Sequence, residues 1–410
     1  MDQNTSSSAI VVIGSGLAGY TVIREIRKLD KSIPTTLVTK EPGYFYSKPM
    51  LSTALEGKKD ATQLVSTSAD EMAMQLELTI VAQAEVDSID IASKTIQTSK
   101  GAIPFGKLVL GLGADQIRLP LQGNAANEVL TVNDLEDYAN FRNAIADKKR
   151  VAILGAGLIG CEFANDLVLG GYEVDVIDLA PQALGRLIPE AAATDLQNKL
   201  SAAGVKWHFF TTVQSVDRNA DQLQLTLANG STLACDVILS AVGLRPRLDL
   251  AKKAGLATNL GVQVNRELQT SAKDIYALGD CAEVEGLVLP YVMPIMQAAR
   301  ALAVTLTGTP TALAYPAMPV MVKTPALATV VSPPAKGALG QWKTNSSHDG
   351  LEARFKSDDG KLLALSSWEA LQPSVAPLLK NFLRYSHNLF ELKIKRPAVR
   401  VFSFAALMGD

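Results

Sequence analysis

Only three cysteines occur in the 410 residues, and none stands in a C-x-x-C pair. Cys161, Cys235 and Cys281 are odd in number and far apart, which speaks against a disulfide framework and suits a reducing cytoplasm. Histidine is as scarce: His208, His348 and His387 are scattered, so they offer neither a metal constellation nor an evident catalytic triad. No run of about 18 apolar residues exists, so no helix is expected to span a membrane. The stretch Met1–Ser8 is polar and lacks the charged-then-apolar layout of a secretion signal. A basic excess is missing too. Lysine and arginine number 39 against 41 acids, a net charge of −2, which argues against a nucleic-acid binder. The remainder is ordinary globular composition, 48% apolar and 20% charged. The length suits roughly two or three domains.

What is present is repetition. Ile10-Val-Val-Ile-Gly-Ser-Gly-Leu-Ala-Gly19 places four apolar residues before a G-x-G-x-x-G pattern at Gly14, Gly16 and Gly19, and a helix Leu17–Leu29 is expected to follow at once. Such glycines provide a tight turn, close approach of backbone to a pyrophosphate and close helix–strand packing, while the helix N-terminus offers unpaired N–H groups to phosphate. The pattern recurs as Val151-Ala-Ile-Leu-Gly-Ala-Gly-Leu-Ile-Gly160. A second pair recurs as well: Lys107–Ala114 and Asp236–Pro246 each read as a buried strand ending in a small-residue turn. The fold class expected is therefore α/β, with two Rossmann-like dinucleotide-binding domains of the three-layer ββα type and a small α+β C-terminal domain.

Between the fingerprints, Thr35–Thr39 reads as the second strand and Glu41–Pro49 as a loop rich in turn formers and aromatics. Met72–Leu76 and Asp134–Ile145 read as helices, and Leu78–Phe105 alternates in the manner of antiparallel strands, Thr79–Ala82 among them. In the second unit, Tyr172–Asp178 is the second strand, Asp195–Ala203 a helix and Val213–Gly230 a hairpin-like insert. Pro294–Leu306 is helical, and beyond about Tyr315 a third, smaller region begins. The domain division expected is 1–114 and 247–316 for one unit, 115–246 for the other, and 317–410 for the third. The tail Asn381–Asp410 is basic and apolar, with no motif.

The two fingerprints, the two small-residue turns and Thr270–Asp280 together resemble the two-dinucleotide-binding flavoprotein reductases, the pyridine nucleotide-disulfide oxidoreductase-like superfamily. More narrowly, Tyr46–Ser52, Gly157–Asp166 and Met321–Pro325 look like the bacterial rubredoxin reductases. The resemblance implies that the first unit holds FAD, the second NADH, and that a C-terminal interface domain follows. It assigns Gly14, Gly16, Leu17, Ala18 and Gly19 to FAD. The acid that would hold the adenosine ribose falls at Lys40 in the family pattern, with Glu41 one position later. Asp280, in Ala277-Leu-Gly-Asp280, resembles the acid that binds the ribityl chain, and Gly279 lets the backbone come close. Lys48, followed by Pro49, sits where the family loop meets the flavin ring; Lys323 is a similar candidate. Both are ammonium groups suited to stabilising an electron-rich flavin. Thr53 stands where family members carry a lysine. Gly155, Gly157 and Gly160, with the turn containing Gly243, would cradle NADH. Asp178, about 20 residues on, can accept hydrogen bonds from a ribose 2′-hydroxyl and repel a 2′-phosphate, which favours NADH over NADPH. Glu162 would lie near the nicotinamide.

Disulfide reductases of the superfamily keep a cysteine pair on the loop after the second strand. Here that loop reads Tyr44-Phe45-Tyr46-Ser47-Lys48-Pro49, without a thiol. The resemblance then implies hydride transfer from NADH to FAD and single electrons onward to rubredoxin, feeding alkane hydroxylation in the cytoplasm. Lys48 and Glu162 are the candidate catalytic residues. An acidic rubredoxin-type partner calls for a basic patch around the flavin edge. The alternatives are a ferredoxin reductase of an oxygenase system, a peripheral-membrane quinone reductase anchored by Phe382–Met408, and a flavin-binding scaffold with little turnover.

Overall fold

The computed structural model describes residues 9–369 apart from 186, 317, 335–337, 348, 349 and 361. Strand β1 (Ile10–Ile13) is buried along its whole length, and its four apolar residues carry no alternation because both of its faces are covered, by helices as well as by strands. It runs parallel to β2 (Thr35–Val38) and to Lys107–Leu110, in a five-stranded parallel sheet ordered Ile275–Ala277, Lys107–Leu110, β1, β2, Thr79–Val81. Helix α1 (Leu17–Leu29) crosses between β1 and β2 and buries Tyr20, Ile23, Ile26 and Arg27, three to four residues apart, against it.

Thr79–Val81 corrects the sequence reading. It pairs parallel with β2, whereas the antiparallel meander consists of Val86–Asp90, Thr95–Thr98 and Gly101–Pro104. Three residues are too few for periodicity to separate the two kinds of strand.

The second unit is inserted between strands of the first. Its sheet is parallel, ordered Val205–His208, Glu173–Ile177, Arg150–Leu154, Val237–Ser240. In chain order these are β3 (Arg150–Leu154), β4 (Glu173–Ile177), β5 (Val205–His208) and β6 (Val237–Ser240), with α2 (Leu158–Leu169) joining β3 to β4. The helix expected from Asp195 begins earlier, at Glu190, because Pro189 at its N-cap fixes φ at −68° and starts the turn there. The hairpin-like insert is a three-stranded antiparallel sheet, Val213–Asn219, Gln222–Leu227 and Thr232–Cys235. Helix α3 (Val292–Leu306) packs on α1 and closes the first unit.

The described part of the third region is a five-stranded antiparallel sheet, ordered β7 (Val320–Val322), Ala328–Ser332, Leu362–Glu369, Gly350–Lys356, Gln341–Ser347. Its inner residues Val322, Val331, Ala353 and Trp368 share one apolar core with the second unit. Trp368 is fully buried, and its indole N–H donates to Asp195 Oδ2 at 2.8 Å. The tail Asn381–Asp410, and with it the proposed lipid anchor, lies outside the described residues.

Candidate cofactor sites and the seam between them

At the end of β1 the chain turns at Gly14 with φ +109°, a conformation that suits glycine. A side-chain carbon on Gly19 would collide with the carbonyl oxygen of Gly14, so the first turn of α1 lies directly against the strand end. Gly16 is the N-cap of α1 and no side chain caps it, which leaves the N–H groups of that turn free for an anion. These features fit a dinucleotide pyrophosphate.

The turn opens into a cavity of about 2740 Å³, well above the roughly 300–1,000 Å³ that holds a small molecule. Gly14, Gly16, Leu17 and Ala18 form its floor, and Glu41, Lys48, Pro49 and Asp280 its flank. The second unit contributes Glu162 and Gly243, and the third region Lys323. Gly19 and Gly279 stand behind the wall, where a side-chain carbon on Gly279 would come within 2.9 Å of Ala18 Cβ. Burial pushes the Lys48 ammonium below its usual range, and Asp280 is the charge that most opposes this. The reverse holds at Asp280, where burial raises the carboxyl and Lys48 lowers it. Glu41 is raised by burial and by Asp134, with Lys48 again opposing. Lys40, by contrast, is exposed.

The second fingerprint repeats the first. Gly157 is the uncapped N-cap of α2, and Gly160 packs on Gly155 as Gly19 does on Gly14. Gly155, Gly157, Gly160 and Asp178 lie outside the large cavity, at the carboxyl ends of β3 and β4. Asp178 Oδ2 accepts the N–H of Ala156 at 2.5 Å and Oδ1 that of Ala180 at 2.7 Å. The carboxylate is thus fixed beside the glycine turn, where a ribose would meet it.

Glu162 is completely buried at the junction of all three regions. Its Oε2 accepts from Ser52 Oγ at 2.5 Å and pairs with Lys323 Nζ at 2.5 Å; its Oε1 accepts the backbone N–H of Lys323 at 3.0 Å. The Lys323 ammonium also donates to Pro49 O at 2.6 Å and to Ser52 Oγ at 3.0 Å, which uses its three protons within the protein. Thr53 turns back on its own loop, toward Met50 O at 3.4 Å. The cation beside Glu162 therefore comes from the third region rather than from the loop. One turn along α2, Asp166 accepts the N–H groups of Leu55 and Glu56 at 2.9 and 2.8 Å, and Asn165 Oδ1 accepts that of Ala326 at 3.1 Å. Sequence reasoning missed Ser52, Asn165 and Asp166. For Asn165 and Asp166 the available sign was their place, with Glu162, within little more than one turn of an otherwise apolar helix; Ser52 gave no such sign.

All three cysteines are free and buried, and burial pushes Cys281 up to about 11 and Cys235 to about 12, with Cys161 higher still. Among the described residues no group of histidines, cysteines and acids could hold a metal.

Comparison with known proteins bears directly on these two sites. The model of the pyridine nucleotide-disulphide oxidoreductase family matches residues 8–303. This chain belongs to that family. The reductase is matched over residues 312–381 by a second model, the rubredoxin binding C-terminal domain. It is 46% identical to a rubredoxin-NAD(+) reductase of Alcanivorax borkumensis over 355 residues, 86% of this chain and 93% of that one. A rubredoxin-NAD(+) reductase of Acinetobacter baylyi is 46% identical over 353 residues, 84% and 90% of the two chains. Among solved structures, a ferredoxin reductase from Rhodopseudomonas palustris superposes with a TM-score of 0.81 at 27% identity, covering 88% of this reductase and 91% of that chain.

Proposed function

We propose that this reductase takes a hydride from NADH and passes single electrons to rubredoxin by way of FAD. The observation that carries the reading is the seam: Lys323, within the match to a rubredoxin binding domain, is bonded to the loop that flanks the flavin site and to a helix of the nicotinamide unit. Bound FAD would supply the conversion of a two-electron donor into single electrons. The glycine turns and helix N-termini at Gly14–Gly19 and Gly155–Gly160 would hold the two pyrophosphates. Glu41 and Asp178 would bind the adenosine riboses, and Asp280 the ribityl chain. Lys48, with Pro49 beside it, would stabilise negative charge on the ring; Glu162 would act through Lys323 and Ser52, setting the loop against the nicotinamide side. Lys323, its protons occupied, would act on the cofactor by charge alone. Gly243 and Gly279 would allow close approach.

The same reading divides the chain into 1–114 with 247–316, 115–246 and 317–410. It places the enzyme in the cytoplasm, which buried free thiols suit, and upstream of alkane hydroxylation, which the likeness of the flavin loop to rubredoxin reductases supports. The exposed lining of the cavity carries cations (Arg245, Lys252, Lys253) and acids (Glu85, Asp87, Asp115, Asp249) alike, so the acidic partner rests on the likeness to rubredoxin reductases. The likeness to a ferredoxin reductase favours ferredoxin as the second reading. Steady-state reduction of purified rubredoxin and ferredoxin by NADH, across ionic strength, decides between them. Rubredoxin is expected to be the faster acceptor, with a rate that falls as salt rises. Equal or faster ferredoxin reduction, or a rate flat with salt, would overturn the proposal or its docking picture respectively.

A further inference from the structure

Ten non-glycine residues in the described chain have positive φ, and three of them are large and apolar: Leu184, Leu268 and Phe210. Leu184 and Leu268 are buried, at 1% and 0% exposure, so packing compensates their backbone strain. Phe210 has φ +57° and is 76% exposed. A bulky side chain held in the left-handed region and turned to solvent gains nothing from the fold, and such residues gather at ligand sites.

Its position says which ligand. β5 runs parallel to β4 with His208 opposite Ile177, so the continuation of that register sets Phe210 level with Leu179, which is 69% exposed. The backbone N–H of Phe210 donates to Ala180 O at 3.3 Å, and that of Thr211 to Asp178 O at 3.2 Å. Both apolar residues therefore lie at the carboxyl end of the parallel sheet, where open α/β folds bind nucleotides, and directly beside the carboxylate placed to hold the ribose. The preceding rings are used inward: Trp207 and Phe209 stack on each other with centroids 5.4 Å apart. The left-handed turn at Phe210 breaks that sequence and keeps the third aromatic outside.

Resting on the NADH reading above, we infer that Leu179 and Phe210 are the two walls of the adenine subsite, with the purine stacked on Phe210. The base is attached to the ribose that Asp178 would hold, so it must lie within a ring's reach of that carboxylate. A flat purine on an aromatic face gains from stacking irrespective of its edge hydrogen bonds. Phe210 is then a determinant of affinity for the adenosine end of the dinucleotide and has no part in hydride transfer.

The test is calorimetric titration of the FAD-loaded enzyme with ADP-ribose, which carries the adenosine end and no nicotinamide. Phe210→Gly suits the left-handed backbone, so its thermal midpoint should equal or exceed the wild type's. Its dissociation constant for ADP-ribose should rise about tenfold, and Phe210→Trp should restore wild-type binding. In turnover, KM for NADH should rise with kcat unchanged. Wild-type affinity for ADP-ribose in Phe210→Gly would overturn the inference while leaving the NADH reading intact. A wild-type enzyme that binds neither ADP-ribose nor NADH would overturn both.

Discussion

The two dinucleotide units share a strand, glycine turn and helix, and they differ in the residue that follows the second strand. Register sets Val38 opposite Ile13 in the first and Ile177 opposite Leu154 in the second, so Thr39 and Asp178 occupy equivalent places. In the first unit, Thr39 Oγ1 meets Ser15 Oγ at 2.9 Å and accepts the N–H of Glu41 at 3.2 Å, and the acid at the cavity wall is Glu41, two residues later. In the second the carboxylate itself bonds the glycine turn. On the proposed reading one turn geometry would serve two ligands, and the side chain after the second strand is where the two turns differ. The helices diverge as well. α1 leaves Arg24, Glu25, Lys28 and Leu29 at least partly exposed, whereas α2 buries every residue from Gly160 to Leu167, because the segment 48–56 and the third region cover its outer side. That is why its polar residues bind partners instead of water.

The largest expected effect comes from breaking the seam on α2. Lys323→Ala strands the Glu162 carboxylate without its cation, and removal of one partner of a buried pair costs about 3–5 kcal/mol. Chemical denaturation should show that loss, with most of it recovered in the double variant Glu162→Gln, Lys323→Met. A double variant as unstable as the single would mean that packing, not the stranded charge, sets the loss.

Next in size is Asp166. Its two backbone partners, Leu55 and Glu56, follow the loop Glu41–Pro49, and Asp166→Ala should destabilise the enzyme by about 1–3 kcal/mol. Burial raises this carboxyl to about 6, against about 3.9 for a free aspartate. Between those values the folded protein holds a proton that the unfolded chain has released. The group's contribution to stability therefore decreases as pH rises from about 4 to about 6 and is constant above. Unfolding free energies of wild type and Asp166→Ala across that range should converge as pH rises. Parallel profiles would refute the assignment.

Much of this was legible in the chain. Two fingerprints with their strands are local patterns, in which four apolar residues and three glycines are contiguous, so the turns, α1 and the buried strands could be read directly. Local pattern also put Asp178 at the end of the second strand, and it stands directly after β4. What could not be read was the partner of Glu162. Thr53 left the loop without its usual cation, and nothing in the local sequence says that Lys323, 161 residues from Glu162, supplies it. The strand Thr79–Val81 was misread for a related reason: its neighbour β2 lies some forty residues earlier, and three residues carry too little pattern to reveal the pairing.

The smallest effect tests the difference between the units directly. Asp178→Thr gives the second unit the residue that the first unit carries at Thr39. The threonine hydroxyl can still accept the N–H of Ala180, as Thr39 accepts that of Glu41, so the turn after the strand is kept and thermal stability should change little. The carboxylate that would accept the ribose hydroxyl and repel a 2′-phosphate is gone, and the preference for NADH over NADPH, measured as a ratio of kcat/KM values, should fall about tenfold. The loss should come mainly from a higher KM for NADH, since the reacting atoms lie at the other end of the dinucleotide. An unchanged ratio would mean that the fold of the turn, and not the side chain after β4, sets the choice of cofactor.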